Sequence, residues 1–345
     1  MRGFIIILSL LFLFSCEENS VPGRVTGNSA GKSGLNNAWA VDTSRMTGTS
    51  VRNTFPIVMH PEYSSVNKVS LTPDDKVIVL KVTDEVYVYP LRFMGIEVLN
   101  DSVSGKYFAA TYCPITESSF VWNRKIKDEV LTFAASGVLY QENLVPYDLE
   151  TRSMWSQMLM KGINGKHIFS RPETFNAFET SWHTVKGYFP QAKVFPGNKE
   201  TDQNKYKKNE PVEGNGNSTS GNSDLYKRGE KVFGVFPHPD IITNPMVLTK
   251  SHEDFTEEIS IDQWGNVIVV FSEKFDFIQA YKAENMKFNP VHNEFPVILK
   301  DGDGVKYDIF GFPVNRQDAD QLRNLPSYSA LWWAWDDFYN DFKKL

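Results

Sequence analysis

Residues 76–90 read Lys-Val-Ile-Val-Leu-Lys-Val-Thr-Asp-Glu-Val-Tyr-Val-Tyr-Pro. Two runs of β-branched and aromatic residues, 77–80 and 86–89, flank the polar triplet Thr83-Asp84-Glu85. Val, Ile and Tyr favour extended backbone because their side chains pack well on a pleated surface, and a polar triplet between two such runs is typical of a hairpin. The stretch therefore predicts an antiparallel β-hairpin at the start of the folded body.

Other short strand patterns follow this hairpin at close spacing, which favours antiparallel sheets. They cover residues 106–112, 119–123, 130–134 and 143–147. Pro172-Glu173-Thr174 then predicts the start of a helix. Its apolar stripe consists of Phe175, Phe178, Trp182 and Val185. The sequence therefore predicts a fold that is mainly β with a few helices, of the α+β class.

A second series of similar patterns begins at Lys231. It comprises strands at 231–235, 267–271 and 296–299, a turn at Asp301-Gly302-Asp303-Gly304, a strand at 305–310, and an aromatic helix that Pro326-Ser327 begins. Each series starts with a Lys-Val strand and ends with an aromatic helix after a proline. The interval from Val77 to Trp182 nearly equals that from Val232 to Trp335. We interpret the two β-rich units as a degenerate tandem repeat.

Composition separates the chain into five predicted segments. Stretches rich in Gly, Ser and Asn without large apolar residues are typical of tethers and linkers. The segments are a signal peptide at 1–16, a flexible tether at 17–54, a first β-rich unit at 55–196, a polar linker at 197–230, and a second, diverged unit with an aromatic C-terminal helix at 231–345.

The N-terminus carries an export signal. Arg2 precedes an apolar run at 4–14 that is shorter than the roughly 20 residues of a transmembrane helix. Leu13-Phe14-Ser15-Cys16 resembles a bacterial lipobox, although Phe14 is bulkier than usual, and Glu17-Glu18 resembles the export signal of surface lipoproteins. We expect an acylated Cys16 that anchors an outer-membrane lipoprotein of the cell envelope, facing the periplasm or the surface. The alternative is an ordinary secretory peptide with Cys16 near its cleavage site.

Composition and charge exclude several classes of protein. The net charge of −6 gives no basic footprint for nucleic acid, and two cysteines cannot build a disulfide framework. The six histidines show no short metal-ligand spacing, so no metal or other cofactor is expected. The sequence suggests either a calcium site or a hairpin turn at Asp301, Asp303 and Asp308. The turn is favoured because the loop lacks the repeated ligands and the distal Glu of an EF-hand calcium site.

Residues 55–195 resemble a bacterial family known as domain of unknown function 3179. The matching motifs are Tyr89-Pro90-Leu91-Arg92, Asn100-Asp101, Thr111-Tyr112-Cys113-Pro114, Ser136-Gly137-Val138-Leu139-Tyr140, Asn143-Leu144-Val145, Tyr147-Asp148 and Ser153-Met154-Trp155-Ser156-Gln157. The second half matches loosely. The resemblance implies an extracytoplasmic setting and no established activity. The family's second cysteine and its histidine before the Glu97 position are replaced here by Thr116 and Ile96, so dithiol redox cycling is not expected.

Two readings of the candidate site remain open. Cys113 is either a nucleophile that needs a nearby base or cation, or a small buried apolar residue. A polar pocket for a small ligand is predicted around 136–157, although the same groups could satisfy turns and core. Its candidate binding residues are Arg92, Glu97, Ser136, Tyr140, Asn143, Tyr147, Asp148, Trp155 and Gln157. The C-terminal tryptophans are expected to be core.

Three function hypotheses follow. The first is a non-catalytic binding or accessory lipoprotein whose partners are the bilayer and a small polar ligand or an envelope protein. The second is a thiol-dependent enzyme or metal-handling protein centred on Cys113. The third is a structural or interaction lipoprotein without a pocket.

Overall fold

The computed structural model describes residues 38–48, 57–94, 98–197, 223–238 and 246–345. Strands dominate these residues, which confirms the predicted mainly β fold with a few helices. The predicted signal peptide, Cys16, Glu97 and most of the predicted tether and linker lie outside them. None of the helices within these ranges is long and apolar enough to cross a bilayer.

The elements of the first half run from Met46 to Val194. They are β1 Met46–Gly48, β2 Val58–Met59, β3 Ser64–Ser65, β4 Lys76–Val82, β5 Glu85–Pro90, α1 Leu91–Met94, β6 Val98–Val103, β7 Lys106–Cys113, β8 Ser118–Asn123, β9 Lys125–Ile126, β10 Glu129–Val130, β11 Phe133–Tyr140, β12 Asn143–Asp148, β13 Met154–Ser156, β14 Lys161–Asn164, β15 Ala177–Ser181, α2 Trp182–Tyr188 and β16 Lys193–Val194.

The elements of the second half run from Lys231 to Lys344. They are β17 Lys231–Val235, β18 Val247–Ser251, β19 Ser260–Trp264, β20 Val267–Ser272, β21 Phe277–Lys282, β22 Phe288–Pro290, β23 Val297–Asp301, β24 Lys306–Asp308, β25 Ser327–Leu331, α3 Trp332–Phe338 and β26 Phe342–Lys344. Short 3-10 turns add Thr43–Arg45, Val66–Lys68 and His252–Asp254.

The main sheets of the two halves have corresponding strand orders. The first sheet runs β15-β4-β5-β16-β3 and the second runs β25-β17-β18-β26. In both, the first two pairings are antiparallel and the third is parallel. The helix starts are held alike, since Trp182 N donates to Asp75 O at 2.8 Å and Trp332 N donates to Glu230 O at 2.8 Å. Descent of the halves from a tandem duplication stays a prediction.

Smaller sheets lie beside the main ones. The first half adds β2-β6-β7-β8, β1-β11-β12-β13-β14 and the short pair β9-β10, and the second half adds β19-β20-β21 and β22-β23-β24. The Asp301 carboxylate accepts from the backbone amides of Asp303 and Val305 between β23 and β24, at 2.9 Å each. This geometry is that of the predicted hairpin turn.

The halves share part of their apolar core. Alternate residues of β4 face opposite clusters, because side chains alternate across a strand. Val79 packs in a cluster with Ile268 and Val270 of the second half, whereas Ile78 packs with strands of the first half. The described residues from Ala38 to Leu345 form a compact unit. The two β-rich halves therefore share two apolar clusters, and each half also has a cluster of its own.

Two predicted helices begin later than expected. Residues 177–181 form β15, which pairs with β4, and α2 begins only at Trp182 with Ser181 capping Thr184 N. Likewise Ser327–Leu331 form β25, and α3 begins at Trp332. The helix starts predicted at Pro172 and at Pro326 were therefore wrong. The physical reason is that the edges of β4 and β17 need backbone partners, and the residues before each helix supply them.

The predicted hairpin at 76–90 is confirmed as β4 and β5, and three of the four strand patterns after it match β7, β8 and β12. The fourth pattern, 130–134, falls on two strands instead of the single strand that was predicted. Glu129 and Val130 belong to the short β10, and β11 begins at Phe133. Between them, Leu131 N bonds back to Arg124 O instead of continuing a ladder.

Candidate functional site

Asn143 and Gln157, two predicted binding residues, meet in the protein interior. Asn143 Nδ2 donates to Gln157 Oε1 at 2.9 Å and to Thr116 Oγ1 at 2.9 Å. Gln157 Nε2 donates to Thr111 Oγ1 at 2.9 Å, and Ser118 Oγ donates to Gln157 Oε1 at 2.8 Å. All five side chains are buried. Because these groups satisfy one another, the network stabilises β7, β8, β12 and the turn at Gln157.

Asp148 and Trp155 form a second contact among the predicted residues. Trp155 Nε1 donates to Asp148 Oδ2 at 3.0 Å, and Asp148 Oδ1 accepts from Thr151 N at 2.6 Å. Both Asp148 and Trp155 are fully buried, and the indole stacks on His167 at a centroid distance of 5.7 Å. Asp148 thus closes the turn between β12 and β13 and orients the tryptophan.

The other predicted binding residues lie apart from these pairs. Ser136 Oγ donates to Val145 O at 2.5 Å at a bulge of β11, where the register shifts between Ala135 and Leu139. Tyr140 packs edge-on against Phe338. Tyr147 is buried near the Arg152 guanidinium. Arg92 forms an ion pair with Asp75 at 3.1 Å. Glu97 lies outside the described residues. Binding roles for this set stay predictions.

Cys113 is buried at the end of β7 with 2% of its surface exposed. It belongs to the same apolar cluster as Phe120 and Trp122, and its Sγ lies 3.8 Å from Glu142 O. A nucleophilic thiol needs access and a neighbouring base or cation. The surroundings favour the interpretation of Cys113 as a small core residue.

The structure contains a polar pocket that sequence reasoning did not find. It opens where the first half meets the second, and its cavity volume is about 60 Å³. β4, β8 and β15 supply Lys76, Ser119 and Glu179. The second half supplies Lys231, His252, Asp276 and Ser329.

Two ion pairs cross this pocket from one half to the other. Lys76 Nζ lies 2.5 Å from both Asp276 carboxylate oxygens. Lys231 Nζ lies 2.7 Å from Glu179 Oε2, and Ser119 Oγ donates to Glu179 Oε1 at 2.6 Å. Each lysine begins the second strand in the order of its half's main sheet, β4 or β17. The pocket therefore contains two cations and two anions, and each cation lies within hydrogen-bonding distance of one anion.

The electrostatics of the pocket follow from burial and from these charges. Burial works to lower the pKa of Lys231, but the carboxylates of Glu179 and Glu117 outweigh it and the pKa lies above its ordinary value. Burial raises the pKa of Asp276 above its ordinary value, against the opposing effect of the Lys76 ammonium. The Lys231 ammonium thus stays charged at neutral pH.

His252 is a neutral member of the pocket. Burial, and then the charges of Lys231 and Lys76, hold the pKa of the imidazole well below its ordinary value. Its Nε2 lies 2.8 Å from Ser329 Oγ, and its ring stacks on Phe255 at a centroid distance of 4.6 Å. The imidazole can therefore donate or accept a hydrogen bond without adding charge.

Apolar side chains form part of the pocket wall. Phe120, Phe175, Phe178 and Phe233 lie among the lining residues, beside the amides of Gln279 and Asn324. Pockets that combine an apolar wall with a few converging polar groups are typical of small-molecule sites. In the part of the chain that the structure describes, no group of three or more His, Cys, Asp and Glu side chains is arranged to hold a metal ion.

The pocket was not predicted from the sequence because its residues lie far apart along the chain. Lys76 and Asp276 are 200 residues apart, and only the packing of the two halves joins them. The available signal was the Lys-Val start of each half, which places the two lysines at corresponding positions of the two main sheets.

The comparisons with known proteins identify a family. The model described as "Protein of unknown function (DUF3179)" matches residues 52–342. This match continues through the second half, beyond the motifs at 55–195. No curated protein and no solved structure matches the chain. The matched range includes every pocket residue named above.

Proposed function

Since the chain belongs to the DUF3179 family of proteins of unknown function, we propose its function from its site. The protein is a non-catalytic binding or accessory lipoprotein of the bacterial cell envelope, and it holds a small polar ligand in the pocket between its halves. Acylated Cys16 tethers this body to the outer membrane. The observation that carries the proposal is the pair of crossing contacts, Lys76–Asp276 and Lys231–Glu179, around an open pocket.

The position of the pocket supports binding. Its walls come from β strands of both halves that share apolar cores, so the polar side chains project from a rigid scaffold. Preorganised groups lose little conformational entropy when a ligand arrives, which favours affinity. A purely structural lipoprotein would have no need for four charged groups around an open cavity, since unpaired buried charges are costly and paired ones stabilise little.

The polar residues at 136–157 support the site indirectly. The Asn143–Gln157 network fixes Ser118 through its hydroxyl, and Ser118 precedes Ser119, which bonds to Glu179 in the pocket. We therefore assign these residues a positioning role for β8. The thiol-dependent alternative has less support because Cys113 is buried among apolar side chains.

A thermal-shift screen of the full-length protein in detergent tests the proposal. The panel contains sugars, amino acids, small organic acids and nucleosides, and we expect at least one polar compound to raise the melting temperature by binding the folded state. Lys76→Met should reduce that shift. Lys193→Met is the matched control, because Lys193 is 45% exposed and pairs with Glu85 at 2.6 Å, whereas Lys76 is 44% exposed and pairs with Asp276 at 2.5 Å.

The same screen contains the outcome that would reject binding at this pocket. If a ligand shifts the unmodified protein and Lys76→Met equally, it binds elsewhere. If no compound in any class shifts the melting temperature, the hypothesis of a structural or interaction lipoprotein is favoured over that of a ligand-binding protein.

A further inference from the structure

The charge balance of the pocket narrows the class of its ligand, and this inference rests on the proposed function. The ammonium groups of Lys76 and Lys231 are matched by the carboxylates of Asp276 and Glu179. A ligand with a net charge would leave one charge uncompensated in a partly buried site, where desolvation makes this unfavourable. The balance therefore disfavours both anions and cations.

His252 does not alter this balance. Its imidazole is neutral because burial and the two neighbouring ammonium groups oppose protonation. The carboxylate of Glu117 also acts on Lys231, but Glu117 is not among the residues that line the pocket and does not enter its charge balance. An anionic ligand would therefore find no surplus cation in the pocket.

The hydrogen-bonding capacity of the pocket favours groups that both donate and accept. An ammonium group has three donors and a carboxylate has about four lone-pair positions. The Lys231–Glu179 contact uses one donor of Lys231, and Glu179 also accepts from Ser119. A ligand hydroxyl can accept from a lysine and donate to the neighbouring carboxylate, so it can bridge an ion pair without breaking it.

The aromatic part of the wall complements a ligand with an apolar face. Phe175 and Phe233 line the pocket together with the charged pairs. A pyranose ring presents C–H groups on its face and hydroxyls around its edge, which matches this division. From these observations we infer that the ligand is an uncharged polyhydroxy compound of the sugar class, held by its hydroxyls between the Lys76–Asp276 and Lys231–Glu179 pairs.

Matched sugar series test the inference by calorimetry on the full-length protein at pH 7. Glucose, galactose and mannose are each compared with the uronate and the 2-amino sugar of the same configuration. We expect a neutral sugar to bind at least about tenfold more tightly than its charged counterparts, which corresponds to about 1.4 kcal/mol.

Charge variants should change this preference in opposite directions. Asp276→Asn leaves one extra positive charge in the pocket, so the affinity for the uronate should rise relative to that for the neutral sugar. Lys76→Met leaves one extra negative charge in the pocket, so the affinity for the amino sugar should rise relative to that for the neutral sugar. Lys193→Met should keep the order of the unmodified protein, because it lies outside the pocket lining.

The inference is overturned if a uronate or an amino sugar binds the unmodified protein as tightly as the neutral sugar, or if no sugar binds. In either case a non-sugar compound that shifts the melting temperature in the broad screen, and shifts that of Lys76→Met less, would leave the proposed binding function standing. Failure of the ligand class and failure of the binding function are thereby separated.

Discussion

Lys231 Nζ lies 2.7 Å from Glu179 Oε2 and thereby joins the first strand of the second half to the strand that precedes α2 in the first half. Both side chains are largely buried, with 19% and 14% of their surfaces exposed. Removing one member of such a pair leaves an uncompensated charge in a poorly solvated place. This contact therefore links the stability of the fold to the charge balance of the pocket.

The first prediction concerns this ion pair. Lys231→Met should lower the free energy of unfolding by about 3 kcal/mol, because the Glu179 carboxylate loses its cation. Adding Glu179→Gln should restore part of the loss, since the isolated charge is then removed. Urea unfolding followed by circular dichroism measures both changes.

A matched surface pair provides the control for that measurement. Lys227 Nζ and Glu253 Oε2 are 3.1 Å apart, but their side chains are 79% and 60% exposed. Exposed pairs contribute little because water screens them, so Lys227→Met should change the free energy by less than about 1 kcal/mol. Equal losses in Lys231→Met and Lys227→Met would contradict the burial argument.

The second prediction is a dependence of stability on pH that His252 causes. Its pKa in the folded protein lies well below 6.5 because of burial and the charges of Lys231 and Lys76. The unfolded chain takes up a proton near pH 6.5, whereas the folded chain does not. The contribution of neutral His252 is thus fully present above about pH 6.5 and is lost as the pH falls below it.

His252→Gln isolates this effect, because glutamine retains hydrogen-bonding capacity toward Ser329 without titrating. Between pH 6 and 5 the unmodified protein should lose up to about 1.4 kcal/mol per pH unit more than the variant. Urea unfolding at several pH values measures the free energy of unfolding of both proteins. The contributions of the other titrating groups cancel in the difference because both proteins contain them. Parallel pH profiles would show that His252 protonates normally in the folded state.

Local sequence patterns predicted the strands but misplaced the helix starts. The runs in 76–90 are rich in β-branched and aromatic residues, which favour strands, and β4 and β5 form there. Phe175 and Phe178 are three residues apart, which also fits a helix. Phe178 lies in a strand because it pairs with Val79 of β4. These two residues are about a hundred positions apart, so a local sequence pattern does not include their contact.

The pocket was not predictable for the same reason. The residues near 136–157 were selected because many hydrogen-bonding types lie close together in the sequence. In the fold, Asn143 and Gln157 bond to one another in the interior, while Lys76 and Asp276 meet across the two halves. Burial and chain packing, rather than residue type, determine which polar groups face a cavity.

The third prediction tests the structural role of the buried amide network. Asn143→Ala removes the amide that donates to Gln157 Oε1 and Thr116 Oγ1, and it leaves the buried Met158 N–H without its Asn143 Oδ1 acceptor at 3.2 Å. The free energy of unfolding should fall by about 3 kcal/mol. Asn289→Ala, at an exposed position of β22, should change it by less than about 0.5 kcal/mol. A small loss in both variants would contradict the structural assignment.

The fourth prediction concerns the tether. Cys16→Ser removes the thiol that lipidation requires, so the protein should move from the membrane fraction to the soluble fraction after cell lysis. Cys113→Ser is the matched control and should remain with the membrane. Mass spectrometry of the N-terminal peptide should detect acyl chains in the control only. Unchanged membrane partition of Cys16→Ser would reject the lipoprotein assignment.

The fifth prediction distinguishes a core cysteine from a reactive one. Because Cys113 is 2% exposed and belongs to the same apolar cluster as Phe120 and Trp122, iodoacetamide should alkylate it on the order of a hundredfold more slowly in the folded protein than in urea. Thr47→Cys places a thiol on an exposed position of β1 and should react rapidly in the same sample. Peptide mass spectrometry reports both sites at once. Rapid labelling of Cys113 in the folded chain would show that the thiol is accessible and reactive, and the thiol-dependent enzyme would then replace the binding protein as the leading hypothesis.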